Sequence, residues 1–398
     1  MNDPRPTTAA LAPVARSYGA IVWGQLKKRP SAVISLGVIL LLALAAILAP
    51  FIAGEVPIRW VEKGRVSWPI FRYLANSEYL AMLTFALALA LPLTVRLIGP
   101  WARRVGAGPW RWAVLAHLAA GAAVAGGLVA FREPERRYGF YLERRAQADS
   151  AWMPLIAWPR HPGYEALACR DEPPSWDHPL GTTRTGDDVV IRILYGARTA
   201  MTIGFVAVGI GVVIGVALGS VSGYFGGGLD LVLMRLVEIF MFIPQLVLII
   251  IILAVIPSSV PPLWAVVIVI GLTNWTGFYR FMRAELLRIR SEDYVTAARG
   301  LGIPTWRLLL RHAVPNGMAP ILVSATFGVA GAVFLEASLA FLNLVQTPSW
   351  GELLNDGRQH LETWWVWSSA GAAIFLAVLV YNLLGEAIRD AIDPRLKI

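Results

Sequence analysis

Residues 31–53 read SAVISLGVILLLALAAILAPFIA, an apolar run without a single charge. At 1.5 Å of rise per residue, a helix of this length crosses a hydrocarbon core of about 30 Å. Arg5, Arg16, Lys27, Lys28 and Arg29 precede it. The run is longer than the apolar part of a signal peptide, and Pro50 and Phe51 offer no small-residue cleavage site. It therefore reads as an uncleaved membrane helix with its N-terminus in the cytoplasm. Composition agrees: 57% of the 398 residues are hydrophobic and 15% are charged, against roughly 25% charged in soluble domains. Too little polar surface exists to cover a soluble all-α core, and the chain is too apolar to be disordered. The one cysteine, Cys169, excludes an intrachain disulfide framework and any multi-cysteine metal site.

Further apolar runs follow at 79–98, 113–131, 199–221, 231–256, 263–281, 317–342 and 368–384, so the sequence predicts about eight membrane helices. Arginines orient them. The segment 280–312 carries Arg280, Arg283, Arg288, Arg290, Arg299, Arg307 and Arg311, whereas 256–263 carries no charge. Placing the first inside and the second outside, and counting back, puts 222–230 and 96–111 inside and 54–78 and 132–197 outside. Both termini are then cytoplasmic. Arg132, Arg136, Arg137, Arg144 and Arg145 run against this arrangement, but Glu133, Glu135 and Glu143 are interleaved with them, and long translocated loops obey the rule weakly. The formal net charge of +9 is accounted for by topology and does not call for nucleic acid.

The cytoplasmic segment 291–316 reads SEDYVTAARGLGIPTWRLLLRHAVPN. Ser291 has the chemistry of an N-cap, and Glu292 and Asp293 suit the positive end of a helix. Tyr294, Ala298 and Leu301 recur at i, i+4 and i+7, giving a short helix one apolar face. Gly300 and Gly302 stop it and Pro304 prevents its continuation. A second amphipathic run, 306–313, leads to Pro315. The small face formed by Ala297 and Ala298 suits close docking against another protein.

Here the chain resembles a known family. Thr296-Ala297-Ala298, then Gly302 and later Val314-Pro315, is similar to the "EAA" loop of binding-protein-dependent ABC importer permeases, with Thr296 where glutamate is usual. Other segments resemble the C-type permeases of dipeptide and oligopeptide importers. They are His178-Pro179-Leu180-Gly181-Thr182 with Gly186, Asp188 and Tyr195-Gly196-Ala197-Arg198; Gly223-Tyr224-Phe225-Gly226-Gly227 with Asp230, Met234 and Arg235; and Pro348-Ser349-Trp350-Gly351, Asp356-Gly357-Arg358, Asn382-Leu383-Leu384-Gly385 and Asp393-Pro394-Arg395. That family commonly carries aspartate at the position of Thr183 and arginine at that of Asp187. The similarity covers roughly 31–53 and 178–398.

The resemblance implies an all-α polytopic type I ABC importer permease, with a core of six helices plus an inserted pair at 79–131. Its parts would be a cytoplasmic segment 1–30, a first helix 31–53, an extracytoplasmic loop 132–197 and a permease core 198–398. The core would contain a coupling loop, 284–316, that fits a cleft on an ATPase subunit. Asp293, Tyr294, Thr296, Ala297, Ala298, Gly300, Leu301, Gly302 and Pro315 would form that contact. Implied partners are a second permease subunit in a heterodimer, two ABC ATPase subunits, an extracytoplasmic substrate-binding protein, and the lipid of the inner membrane in which the permease itself sits. ATP and Mg would sit on the partners. Peptides are the expected cargo, with nickel chelates, oligosaccharides or other small solutes as alternatives within the same machinery. A stand-alone channel or secondary transporter is the alternative of another class.

Individual residues carry two readings. Gly211, Gly215, Gly219 and Gly223 lie four apart, the spacing that brings membrane helices close. Glu336 and Asn274 are candidates for a substrate path, though Asn274 also suits helix–helix hydrogen bonding. Glu238, three residues from Arg235, reads as half of a structural pair. No Walker A, G-x-S-x-G or H-E-x-x-H motif occurs, and the five histidines are scattered. Neither catalysis nor a metal or cofactor site is expected in the chain, and ATP hydrolysis would fall to partners. The outer segment 132–177, rich in Trp, Pro and charge, suits either a cap or a docking surface.

Overall fold

The computed structural model describes residues 18–54, 56–73, 141, 144–145, 148–156, 169–257 and 259–392. The helix pair read at 79–98 and 113–131 and the terminal Asp393-Pro394-Arg395 lie outside the described residues. The described chain runs α1 (Tyr18–Leu26), α2 (Pro30–Ile52), β1 (Arg59–Glu62), β2 (Arg65–Ser67), α3 (Ile70–Tyr73) and β3 (Ser150–Trp152). It continues through α4 (Val189–Phe225), α5 (Gly227–Phe242), α6 (Gln245–Val255), α7 (Pro262–Ile289), α8 (Asp293–Gly300), α9 (Thr305–Phe341), α10 (Trp350–Gln359) and α11 (Trp364–Ile392).

Five of these helices, α2, α4, α7, α9 and α11, are long and apolar enough to cross a membrane, and α5 with α6 makes a sixth, broken span. The run 231–256, expected as one helix, is bent by 92° between α5 and α6. Pro244 is the cause: it lacks an N–H and its ring excludes the α conformation at the residue before it. Ile243 accordingly takes φ −89°, ψ 125°. The structure also corrects the start of α4, which begins at Val189 rather than near Thr199. The boundary drawn at 197/198 thus falls inside a helix. The runs read separately at 306–313 and 317–342 form one helix through Pro315. A π-turn at Leu309–Ala313 absorbs the hydrogen bond that Pro315 cannot make, and α9 runs through it without a break. Among the described residues outside the membrane helices, three strands form a small antiparallel sheet in the order β2-β1-β3, which an all-α reading does not foresee.

The core lies between α4, α7 and α9, where Ile203, Val266, Ile270, Met282, Leu286 and Ile321 are fully or nearly fully buried. Helices α2 and α11 flank it, with Ala46, Ala197, Ala337 and Ala377 filling a small-residue seam. Helices α2, α4, α6 and α11 also expose large apolar residues, among them Leu41, Val213, Ile251 and Phe375, a composition suited to a membrane-spanning segment.

Gly211, Gly215, Gly219 and Gly223 lie along the contact of α4 with α7. A Cβ on Gly215 would sit 2.7 Å from the Trp275 carbonyl oxygen, one on Gly219 2.6 Å from that of Tyr279, and one on Gly223 2.5 Å from that of Arg283. Gly211, at the looser end, has 3.4 Å to Phe278. Backbone meets backbone here, and only hydrogen fits.

Candidate ATPase-coupling surface

The short helix α8 hangs between the ends of α7 and α9. Its N-cap is Glu292, not Ser291. The Ser291 hydroxyl donates instead to the Arg288 carbonyl at 2.7 Å and so serves the end of α7, where a helix runs out of its own i+4 donors. Glu292 and Arg288 form an exposed ion pair at 2.9 Å. Helix α8 ends at Gly300, and Gly302 closes the turn with φ +73°, a conformation that costs glycine little and a branched residue much.

The apolar face expected from Tyr294, Ala298 and Leu301 does not turn inward as a unit. Tyr294 is 40% and Leu301 81% exposed, and only Ala298 packs partly against the core. The inward anchor is Val295, fully buried. Asp293, Tyr294, Thr296, Ala297, Gly300, Leu301, Gly302 and Pro315 are all exposed, together with Trp306 and Leu310 from the first turns of α9. The surface beside α8 is therefore studded with large apolar side chains, although arginines surround it.

Polar contacts link this surface to the helices behind it. The Arg299 Nε donates to the Tyr224 hydroxyl at 3.1 Å, and its guanidinium lies 4.8 Å from that ring's centroid. Tyr224 ends α4. Two residues back, the Ser222 hydroxyl pairs with the Tyr279 hydroxyl at 2.7 Å and also bonds Asp230. Asp230, in the first turn of α5, accepts both Nε and Nη2 of Arg283 at 2.6 Å, the two-pronged geometry of a strong charge-assisted pair. One node thus holds α4, α5 and α7 together at their ends nearest α8. Periodicity does not reveal it, because its members come from three separate segments.

The remaining candidates sit apart. Asn274 lies at the turn between the two halves of α7, beside Gly211. Glu336 is 2% exposed and accepts from Thr347 at 3.2 Å, so it is held by the loop after α9. Glu238 pairs with Arg235 at 2.6 Å on an exposed helix face.

At the opposite end, segments distant in sequence converge. The Trp350 indole fills the notch at Gly196 and donates to the Ile193 carbonyl at 2.9 Å, while Trp365 donates to the Thr182 carbonyl at 3.0 Å. Arg192 bonds Asp187 at 2.8 Å, Glu352 at 3.1 Å and Asp356 at 3.4 Å. Burial holds the Glu352 and Asp356 carboxyls above the usual carboxylate range, with Arg192 opposing the rise. A carboxyl raised in the fold favours the protonated state there. Its stabilising contribution is present at low pH and lost as pH climbs through the folded value. The gain in melting temperature on moving from pH 8 to pH 5 is expected to shrink in Glu352→Gln. An unchanged pH profile would contradict this.

Residues 211–398 match the family model described as binding-protein-dependent transport system inner membrane component, and 17–59 match the N-terminal TM domain of oligopeptide transport permease C. The oligopeptide transport system permease protein OppC of Bacillus subtilis is 38% identical over 232 residues, covering 57% of this chain and 75% of that protein. The chain belongs to the binding-protein-dependent transport permeases. The dipeptide transport system permease protein DppC of Alkalihalophilus pseudofirmus is 36% identical to this permease over 228 residues, 56% of this chain and 74% of the relative. A chain of the MetNI methionine ABC transporter in inward-facing conformations aligns with TM-score 0.44 at 17% identity, covering 51% of this permease and 96% of that chain. As a permease the protein is a multi-pass membrane transport subunit rather than an enzyme.

Proposed function

We propose that this permease imports peptides by docking α8 and its exposed apolar surround into a cleft on an ABC ATPase subunit. The carrying observation is the division of labour within α8. Val295 and Arg299 fasten it to the membrane helices, and the Tyr294 hydroxyl accepts from Asn316 of α9 at 3.3 Å, while Ala297 and Leu301 are exposed. Exposed apolar groups of this size are the composition of an interface core. Motion of α8 reaches α4 through Arg299 and Tyr224, and α5 and α7 through Asp230 and Arg283. Closure of the ATPases is thereby converted into alternating access of the membrane helices. The peptide cargo is supported by relatives named as oligopeptide and dipeptide permeases.

A second permease subunit completes the pathway as a heterodimer. Two ATPase subunits carry the ATP and Mg, and an extracytoplasmic binding protein delivers the substrate. Both termini face the cytoplasm, on the side of α8 and its arginines.

Leu301→Asp in the full transporter tests the docking. Leu301 touches little of its own chain, so insertion and melting temperature are expected to stay unchanged. Transport, and ATP hydrolysis stimulated by loaded binding protein, are expected to fall at least tenfold, the scale of an interface hot spot. Wild-type coupling in this variant would overturn the assignment.

A further inference from the structure

The irregular segment leading into α4 contains a cluster that the transport mechanism does not use. Among the described residues, Cys169, Glu172 and His178 bring one ligating atom each to within 4.8 Å of one another, and His178 Nε2 lies 4.0 Å from a Glu172 carboxylate oxygen. We propose that these three side chains form a site for a zinc-like divalent cation that ties this segment to the start of α4.

The donor set is selective. A thiolate with an imidazole and one carboxylate suits zinc or cobalt and disfavours magnesium and calcium, which take oxygen ligands. Three protein ligands leave a fourth, tetrahedral position for water. Bond lengths of about 2.0–2.3 Å would place the ligand atoms about 3.3–3.7 Å apart. The cluster needs only a modest contraction to reach that spacing. The Glu172 side chain, 41% exposed, has room to make it.

The surroundings orient the ligands. Asp188 Oδ2 lies 2.9 Å from His178 Nδ1, and its other oxygen accepts from the Ile191 N–H as the N-cap of α4. The Asp188 side chain is fully buried, and that of His178 is 6% exposed. A carboxylate oxygen accepts, so Nδ1 is the donor to Asp188 and Nε2, on the Glu172 side, is the atom that would ligate the cation. A carboxylate behind a ligating histidine in this way is the usual support of a zinc site. Thr182, fully buried, ties two ligand residues together: its hydroxyl accepts from the Glu172 N–H at 2.9 Å and donates to the Cys169 carbonyl at 2.6 Å. Sequence inspection for metal motifs passes over the cluster because the ligands come from a loop with spacing C-x2-E-x5-H.

The chain has one cysteine, which makes the thiol a reporter without background. In the full-length permease in nanodiscs, one equivalent of Co(II) is expected to give a thiolate-to-cobalt charge-transfer band. Zn(II) is expected to displace it and to slow maleimide labelling of Cys169 at least tenfold. Glu172→Gln removes a half-exposed ligand and should weaken Zn(II) protection at least tenfold. Asp188→Asn keeps an N-cap acceptor and is expected to weaken protection by about 10–100-fold, the usual effect of losing a carboxylate behind a ligating histidine. Labelling equally fast with and without Zn(II), or protection identical in Glu172→Gln and wild type, overturns the proposal.

Discussion

Valine at Gly223 is expected to leave no folded permease. A Cβ there would stand 2.5 Å from the Arg283 carbonyl oxygen and 2.9 Å from Leu286 Cβ. The obstacle is main chain and the root of a side chain, so no rotamer change relieves it. Separating α4 from α7 would also forfeit the close backbone approach that holds membrane helices together where lipid supplies no hydrophobic drive. Overpacking of a core costs about 1–3 kcal/mol even when side chains can yield, and here they cannot. Gly219→Val is expected to behave alike, against the Tyr279 carbonyl oxygen at 2.6 Å. Gly209→Val is the control, because it lies on the same helix with nothing within 4 Å. Size-exclusion profiles of fluorescent fusions in detergent check the set. A monodisperse Gly223→Val with the wild-type melting temperature would refute the packing argument.

The second large effect is expected at Asp230. Its carboxylate neutralises Arg283 with two bonds of 2.6 Å, and the two side chains are only 15% and 24% exposed. Asp230→Asn leaves the Arg283 guanidinium without its carboxylate, and breaking a buried pair from one side costs about 3–5 kcal/mol. It also loosens α5 from α4 and α7, so transport is expected to fall further than docking of the ATPase. Arg283→Met in the Asp230→Asn background removes the stranded charge and is expected to restore most of the melting temperature without restoring transport. If Asp230→Asn melts like wild type, or if the double variant is no more stable than the single one, the node does not act as an ion pair.

Membrane architecture was legible where one physical rule dominates. Long apolar runs such as 31–53, without a charge, and 317–342, with Glu336 as its one charged residue, correspond to α2 and α9, since length and polarity alone decide whether a segment can span. The limits of the runs were less legible because amphipathic ends belong to the helices too. Arg192 and Arg198 hide the first turns of α4 from a hydropathy reading, yet Arg192 is paired with Asp187 in the fold. The bend at Pro244 was present as a residue but unread, since a proline inside an apolar run can either kink a span or break it. For α8, spacing gave a helix and its stop at Gly300, but periodicity marks an apolar face without saying what covers it. Val295 turned inward and Leu301 outward, a choice made by α4 and α9. The Asp230–Arg283 pair spans 53 residues, and no local pattern reports a partner so distant.

The π-turns at Ile203–Ala207 and Leu309–Ala313 give α4 and α9 a phase slip. Each holds one residue more than the α-turn it replaces, so everything beyond it is displaced by about 100° around the axis. A helical wheel drawn straight through 189–225 therefore mixes two angular registers. Before the slip α4 offers Ala197 and Ala200 to the seam with α2, α9 and α11; after it, Gly215, Gly219 and Gly223 face α7. One uninterrupted rod thus addresses neighbours in two directions, and its azimuth is set by a single supernumerary residue.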